Sequence, residues 1–199
     1  MLAALSGLLL GAWHVASGPD HLAALAPLAA RGGARSPWRA GLAWGLGHAS
    51  GVWLVGLLLI AFGSLLPLDS LGLWSERIVG AMIVGVGVWG LWQARHAHDH
   101  AHDHARGPAF VIGIVHGLAG SAHLYGVLPA LALGEGERLA YLIAFGVGSV
   151  LAMAGFSSLL ALLVERLPGS RETLRRGALR VGSIIAIVVG LAWLVMSCL

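Results

Sequence analysis

Residues 8–30 read LLLGAWHVASGPDHLAALAPLAA, and this stretch decides the class of the molecule. Most of it is fit only for lipid, yet its middle holds His14, Asp20 and His21 around a Gly18-Pro19 pair. Asp20 is the only carboxylate well inside any apolar run of the chain. A charge at mid-membrane costs roughly 3 kcal/mol or more unless it is partnered, so an acid placed there implies a task. Proline lacks an N–H and clashes with the preceding turn, so a helix through this stretch should break at residues 18–19. Pro19 then opens a second half-helix with Asp20 in its first turn, where the helix dipole favours a carboxylate. On one unbroken helix His14 and His21 would stand about 10 Å apart along the axis, too far for one ion. A break brings His14, Asp20, His21 and the carbonyls of Trp13 to Ala16 toward a common point.

The rest of the chain fits the same setting. Its 199 residues are 58% hydrophobic and 11% charged, with mean hydropathy +0.85, where soluble domains carry about 25% charge. The expectation is an all-α, polytopic membrane protein. Apolar runs long enough for a bilayer of ~30 Å fall at 2–30, 38–66, 74–95, 109–133, 139–164 and 177–198. The first exceeds what a straight span needs, which suits a broken or tilted helix. Twelve arginines and no lysine exclude a P-loop ATPase and any Schiff-base chemistry. Cys198 is the single cysteine, so an internal disulfide and a thiolate site within one chain are both excluded. Met1 to Trp13 lacks a basic segment and its apolar run continues past any cleavage point, so no cleavable signal peptide is expected.

Arginines set an orientation. Arg31, Arg35, Arg39, Arg95, Arg106, Arg166, Arg171, Arg175, Arg176 and Arg180 fall in the connections on one side, and only Arg77 and Arg138 on the other. The positive-inside bias puts both termini outside and the segment after Arg95 in the cytoplasm. It also shows that the basic balance concerns topology rather than nucleic acid.

The sequence repeats itself as well. LGAWHVASGPDHLAALAP (10–27) aligns without a gap to IGIVHGLAGSAHLYGVLP (112–129) at an offset of 102 residues, matching Gly11, His14, Gly18, His21 and Pro27 to Gly113, His116, Gly120, His123 and Pro129. Gly45 and Gly47 match Gly146 and Gly148 at an offset of 101. Three spans per unit is an odd number, so the halves point in opposite directions. Inverted repeats with irregular helices at their interface are a transporter architecture. The expected organisation is a first three-helix repeat over 1–95, a His-rich loop over 96–108 and a second repeat over 109–199. Helix 1 is expected to be broken, and helix 4 with it.

The candidate metal ligands are His14, Asp20, His21, His48, His116 and His123. His48 lies in WGLGHASG, whose small residues admit a neighbouring backbone. The second half carries Ser121-Ala122 where the first has Pro19-Asp20, so the acid comes from one half only. A single such histidine is as readily an interhelical hydrogen bond as a ligand. Five with an aspartate point to a site, and imidazole with carboxylate suits Ni, Co, Zn or Fe(II) rather than Cu(I), Mg or Ca. The loop RHAHDHAHDHAR, with His96, His98, His100, His102 and His104, is compositionally an auxiliary metal-binding tract. Trp38, Trp74 and Trp193 fit an interfacial belt, while Trp13 and Trp44 lie near the site and are candidate gates.

HVASGPDHLAAL and LGHAS resemble the signatures of the nickel/cobalt permease superfamily (NiCoT/NicO), a His-x4-Asp-His element in one helix and a Leu-Gly-His-Ser-type element in the next. HGLAGSAHLYGVLPAL and the six-span form look most like the urease-accessory, UreH-like branch. The resemblance implies that His14, Asp20, His21 and His48 take the metal-recognition positions. In this chain five residues rather than four separate His14 from Asp20, and Ser17-Gly18 stand where an additional acid is often found.

The expected function is a secondary permease that moves Ni2+ or Co2+ across a cytoplasmic (inner) membrane, with no prosthetic group and no enzymatic activity. Its partners would be the divalent ion, membrane lipid, cytoplasmic metallochaperones and a second copy of the chain. Two other readings are an intramembrane metallohydrolase using Asp20 and the histidines to activate water, and a metal sensor acting through the His-rich loop.

Overall fold

The computed structural model describes residues 1–31, 38–62, 68–96, 106–119, 121–168 and 170–198, leaving aside the side chains of 31, 68–71, 106, 121–125, 171 and 172. Among these residues every regular element is a helix: α1 Leu2–Ser17, α2 Pro19–Arg31, α3 Trp38–Phe62, α4 Leu68–His96, α5 Arg106–Leu118, α6 Ser121–Leu131, α7 Glu135–Glu165 and α8 Arg171–Met196.

Gly18-Pro19 interrupts the first apolar run as its chemistry requires. Gly18 is extended, with φ −87° and ψ 102°, and the axes on either side differ by 74°. The corresponding run of the second half is also interrupted, between Leu118 and Ser121. Four helical stretches are long and apolar enough to cross a membrane: Trp38–Phe62, Gly72–His96, Glu135–Glu165 and Thr173–Met196. The bent pair α1–α2 makes a fifth, and Gly107–Leu118 is apolar but shorter.

Several helices outrun their apolar windows. α4 takes in LDSLGLWSER, α7 takes in EGER, and α8 takes in RETLRR, all read above as connections. Local capping explains the last two. Ser170 Oγ accepts from the Thr173 N–H at 3.2 Å at the start of α8. Glu135 and Glu137 occupy the positive end of α7. Arg138 then donates to the carbonyls of Ala130 at 3.1 Å and Leu133 at 3.0 Å, closing the end of α6.

Packing follows from small residues. α1 lies against α7, α5 against α3, α3 against α7, and α4 against α8. Gly11 meets the backbone of Phe145, and Gly113 meets that of Trp44. Gly47 meets Phe110, and Gly148 meets Leu8. Each glycine lets one helix backbone rest on another, the contact on which membrane helices rely. Many large apolar side chains face outward: Leu5, Leu9, Trp13, Leu57, Ile78, Leu151, Leu159 and Ile184 are all exposed. Asp20, His21, His48, His116, Ser149 and Ser183 are buried. An apolar exterior around a small-residue, polar interior is the arrangement that lipid selects.

Candidate metal centre

Five of the sequence-selected residues meet at the Gly18 break. His14 sits in the last turn of α1, Asp20 and His21 in the first turn of α2, His48 midway along α3 and His116 in the last turn of α5. His21, His48 and His116 are at most 1% exposed and Asp20 is 5% exposed, so no bulk water compensates these polar groups.

The rings form one continuous cluster. His21 is central, with ring centroids 4.5 Å from His14, 5.0 Å from His48 and 4.5 Å from His116, each met edge-on. His14 and His48 stack at 5.8 Å. The carboxylate lies between two of them: His21 Nδ1–H donates to Asp20 Oδ1 at 3.0 Å, and His116 Nε2 stands 3.2 Å from Oδ2 at ion-pair distance. One donor and a second imidazole nitrogen at close range meet the requirement that a charge away from water be partnered.

Two triads have ligand atoms within 4.8 Å of one another, His14–His21–His48 and Asp20–His21–His116, and His21 belongs to both. Three neutral imidazoles, or two with a carboxylate, form a borderline donor set suited to first-row divalent ions.

Two of the expected backbone carbonyls accept hydrogen bonds within their own turn. The Trp13 carbonyl accepts from Ser17 Oγ at 2.8 Å, and the His14 carbonyl accepts from the Gly18 N–H at 3.1 Å. The extended Gly18 turns its N–H back onto α1, so the break satisfies these acceptors locally.

The two candidate gates separate. Trp13 is 68% exposed on the outer surface, away from the cluster, whereas Trp44 is fully buried with its ring 5.8 Å from His116. Phe145, which sequence reasoning missed, is fully buried with its ring 5.5 Å from His14. The available signal was the offset of 101, which pairs Phe145 with Trp44 just as 102 pairs His14 with His116. Trp44 belongs to an apolar cluster with Val15, Leu25, Leu28, Ile83 and Met153. Phe145 belongs to another, with Val52, Leu59, Val127, Tyr141 and Leu142.

His123 falls in the first turn of α6, but its side chain lies outside the described residues, as do His98, His100, His102 and His104. His96, at the end of α4, shares a 2.8 Å hydrogen bond with the Trp92 carbonyl through Nδ1 and does not join the cluster.

No family model matches the chain, and no solved structure matches it. The chain is 34% identical over 96% of its length to the Arabidopsis thaliana protein Chloroplast protein FOR GROWTH AND FERTILITY 1, covering 58% of that relative. It is 32% identical over 98% of its length to Chloroplast protein FOR GROWTH AND FERTILITY 2 of the same plant, covering 56%. The chain thus spans a little over half the length of these two relatives. It is 29% identical over 78% of its length to Urease accessory protein UreH from Bacillus sp. (strain TB-90), covering 75%. The chain is a distant homologue of a urease accessory protein, in keeping with the UreH-like resemblance of its motifs.

Proposed function

We propose that this chain is a permease for Ni2+ or Co2+, a carrier rather than an enzyme, with the buried Asp20–imidazole cluster as its ion site. The observation that carries the reading is the convergence of His14, Asp20, His21, His48 and His116 from α1, α2, α3 and α5 inside an apolar-surfaced helical molecule. Similarity to a urease accessory protein supports a metal-related role. The ion would exchange its water for side-chain donors of this cluster. A divalent ion moving down a membrane potential gains about 4.6 kcal/mol per 100 mV, enough for roughly a thousandfold accumulation without any nucleotide.

In this reading α1–α2 and α5–α6 each form one broken span, giving six spans in two inverted halves. Support comes from matched contacts. Gly11 on Phe145 parallels Gly113 on Trp44, Gly148 on Leu8 parallels Gly47 on Phe110, and Phe145 beside His14 parallels Trp44 beside His116. Each aromatic ties the cluster to a different apolar core, so opening one core would expose the ion to one side only. Both termini lie outside, and the His-rich loop buffers the ion in the cytoplasm or its organellar equivalent, since two relatives are chloroplast proteins.

The test is ion flux into proteoliposomes containing the purified protein, comparing Ni2+, Co2+, Zn2+ and Mn2+. Saturable Ni2+ or Co2+ flux is expected, and Asp20→Asn should abolish it without unfolding the protein. Wild-type rates in Asp20→Asn and His21→Ala would remove this cluster as the ion site. Tight binding with no flux under any imposed gradient would replace the carrier with a sensor.

A further inference from the structure

The two ligand triads share His21 and make opposite demands on it. Asp20 Oδ1 already receives a hydrogen bond from His21 Nδ1 on its own helix, and Oδ2 has His116 Nε2 of α5 at 3.2 Å. For Asp20, His21 and His116 to ligate together through these facing atoms, His21 Nδ1 would give up its proton and its hydrogen bond to Asp20 would be lost. The triad of His14, His21 and His48 requires no such loss. His21 can meet an ion through Nε2 while Nδ1–H remains on Asp20. An imidazole held on its second nitrogen by a carboxylate has a fixed tautomer, a fixed ring plane and greater basicity toward the metal. The backbone is shaped around that hydrogen bond, because a Cβ at Gly18 would run into both His21 Nδ1 and Asp20 Oδ1.

We propose that Asp20 is a positioning residue rather than a ligand: it turns His21 Nε2 toward a three-imidazole site with His14 and His48, and His116 anchors the carboxylate from the second half of the chain. This deepens the permease reading and rests on its ion site. It explains why the second half carries Ala122 at the position of Asp20, since one carboxylate held between α2 and α5 serves both halves. A neutral triad also suits an ion that must leave again, because transport requires binding strong enough to admit the ion and weak enough to release it.

The experiment is X-ray absorption and Co2+ titration on the full-length protein in detergent. Three imidazoles and no carboxylate carbon shell are expected around Co2+ in the wild type. Asp20→Asn and His116→Gln should keep the three-imidazole signature while affinity falls about 10–100-fold. His14→Gln should lose one imidazole. A carboxylate in the wild-type coordination shell overturns the proposal and leaves the ion site standing. So does loss of an imidazole in His116→Gln with none lost in His14→Gln. The wild-type spectrum and the histidine variants decide the matter even if Asp20→Asn does not fold. A folded wild-type protein that binds no Co2+ overturns both the proposal and the site.

Discussion

Gly18 does more than interrupt a helix. Its extended backbone ends α1 and returns its N–H to the His14 carbonyl, and its missing side chain leaves room for the Asp20–His21 hydrogen bond. Gly18→Ala should therefore weaken Co2+ binding by about tenfold or more, the scale on which a disturbed outer-shell partner acts, while the far-UV circular dichroism stays unchanged. Calorimetric titration measures the first and the spectrum the second. Undiminished affinity would show that the Asp20–His21 geometry is not what the site depends on. The residue types of the cluster were legible in the sequence because a lone aspartate and several histidines stand out against lipid-like surroundings. Phe145 did not stand out, since a phenylalanine among apolar residues carries no polar signal.

At the scale of elements, the crossings of α1 with α7 and α3 with α5 are backbone contacts through glycine. A side chain at Gly11 would strike the Phe145 carbonyl, and one at Gly113 the Trp44 carbonyl. Gly11→Val and Gly113→Val should each destabilise the protein by overpacking of about 1–3 kcal/mol, seen as a lower Tm in detergent. Gly155→Val is the control, because open space surrounds that position, and its Tm should match the wild type. Equal Tm values for all three would mean the crossings are looser than these contacts describe. Helix boundaries were the least legible feature. Apolar windows locate lipid-facing length, but α4, α7 and α8 continue through charged residues that the interface solvates.

For the whole molecule, the arginine distribution sets the expected orientation, with both termini outside. Cys198 is free and exposed, a native handle close to the C-terminus. A membrane-impermeant maleimide should label it from the extracytoplasmic face of intact cells or spheroplasts, with no gain after permeabilisation. Labelling only after permeabilisation would invert the molecule and place the His-rich loop outside. Apolar exposed faces and a polar buried centre give the same account of the setting as the composition does, with lipid outside and polar groups within.

The sequence by itself determined the helical membrane class, the break at Gly18-Pro19 and the residue types of the centre. Each of these is a local conflict between a residue's chemistry and an apolar surrounding, which needs no partner to be recognised. Only the tertiary structure decided which nitrogen meets which oxygen. It placed Asp20 between His21 and His116 and separated Trp44 from Trp13. Those outcomes depend on how α5 and α7 close over α1 and α3, and distances between helices far apart in sequence are set by packing rather than by local pattern.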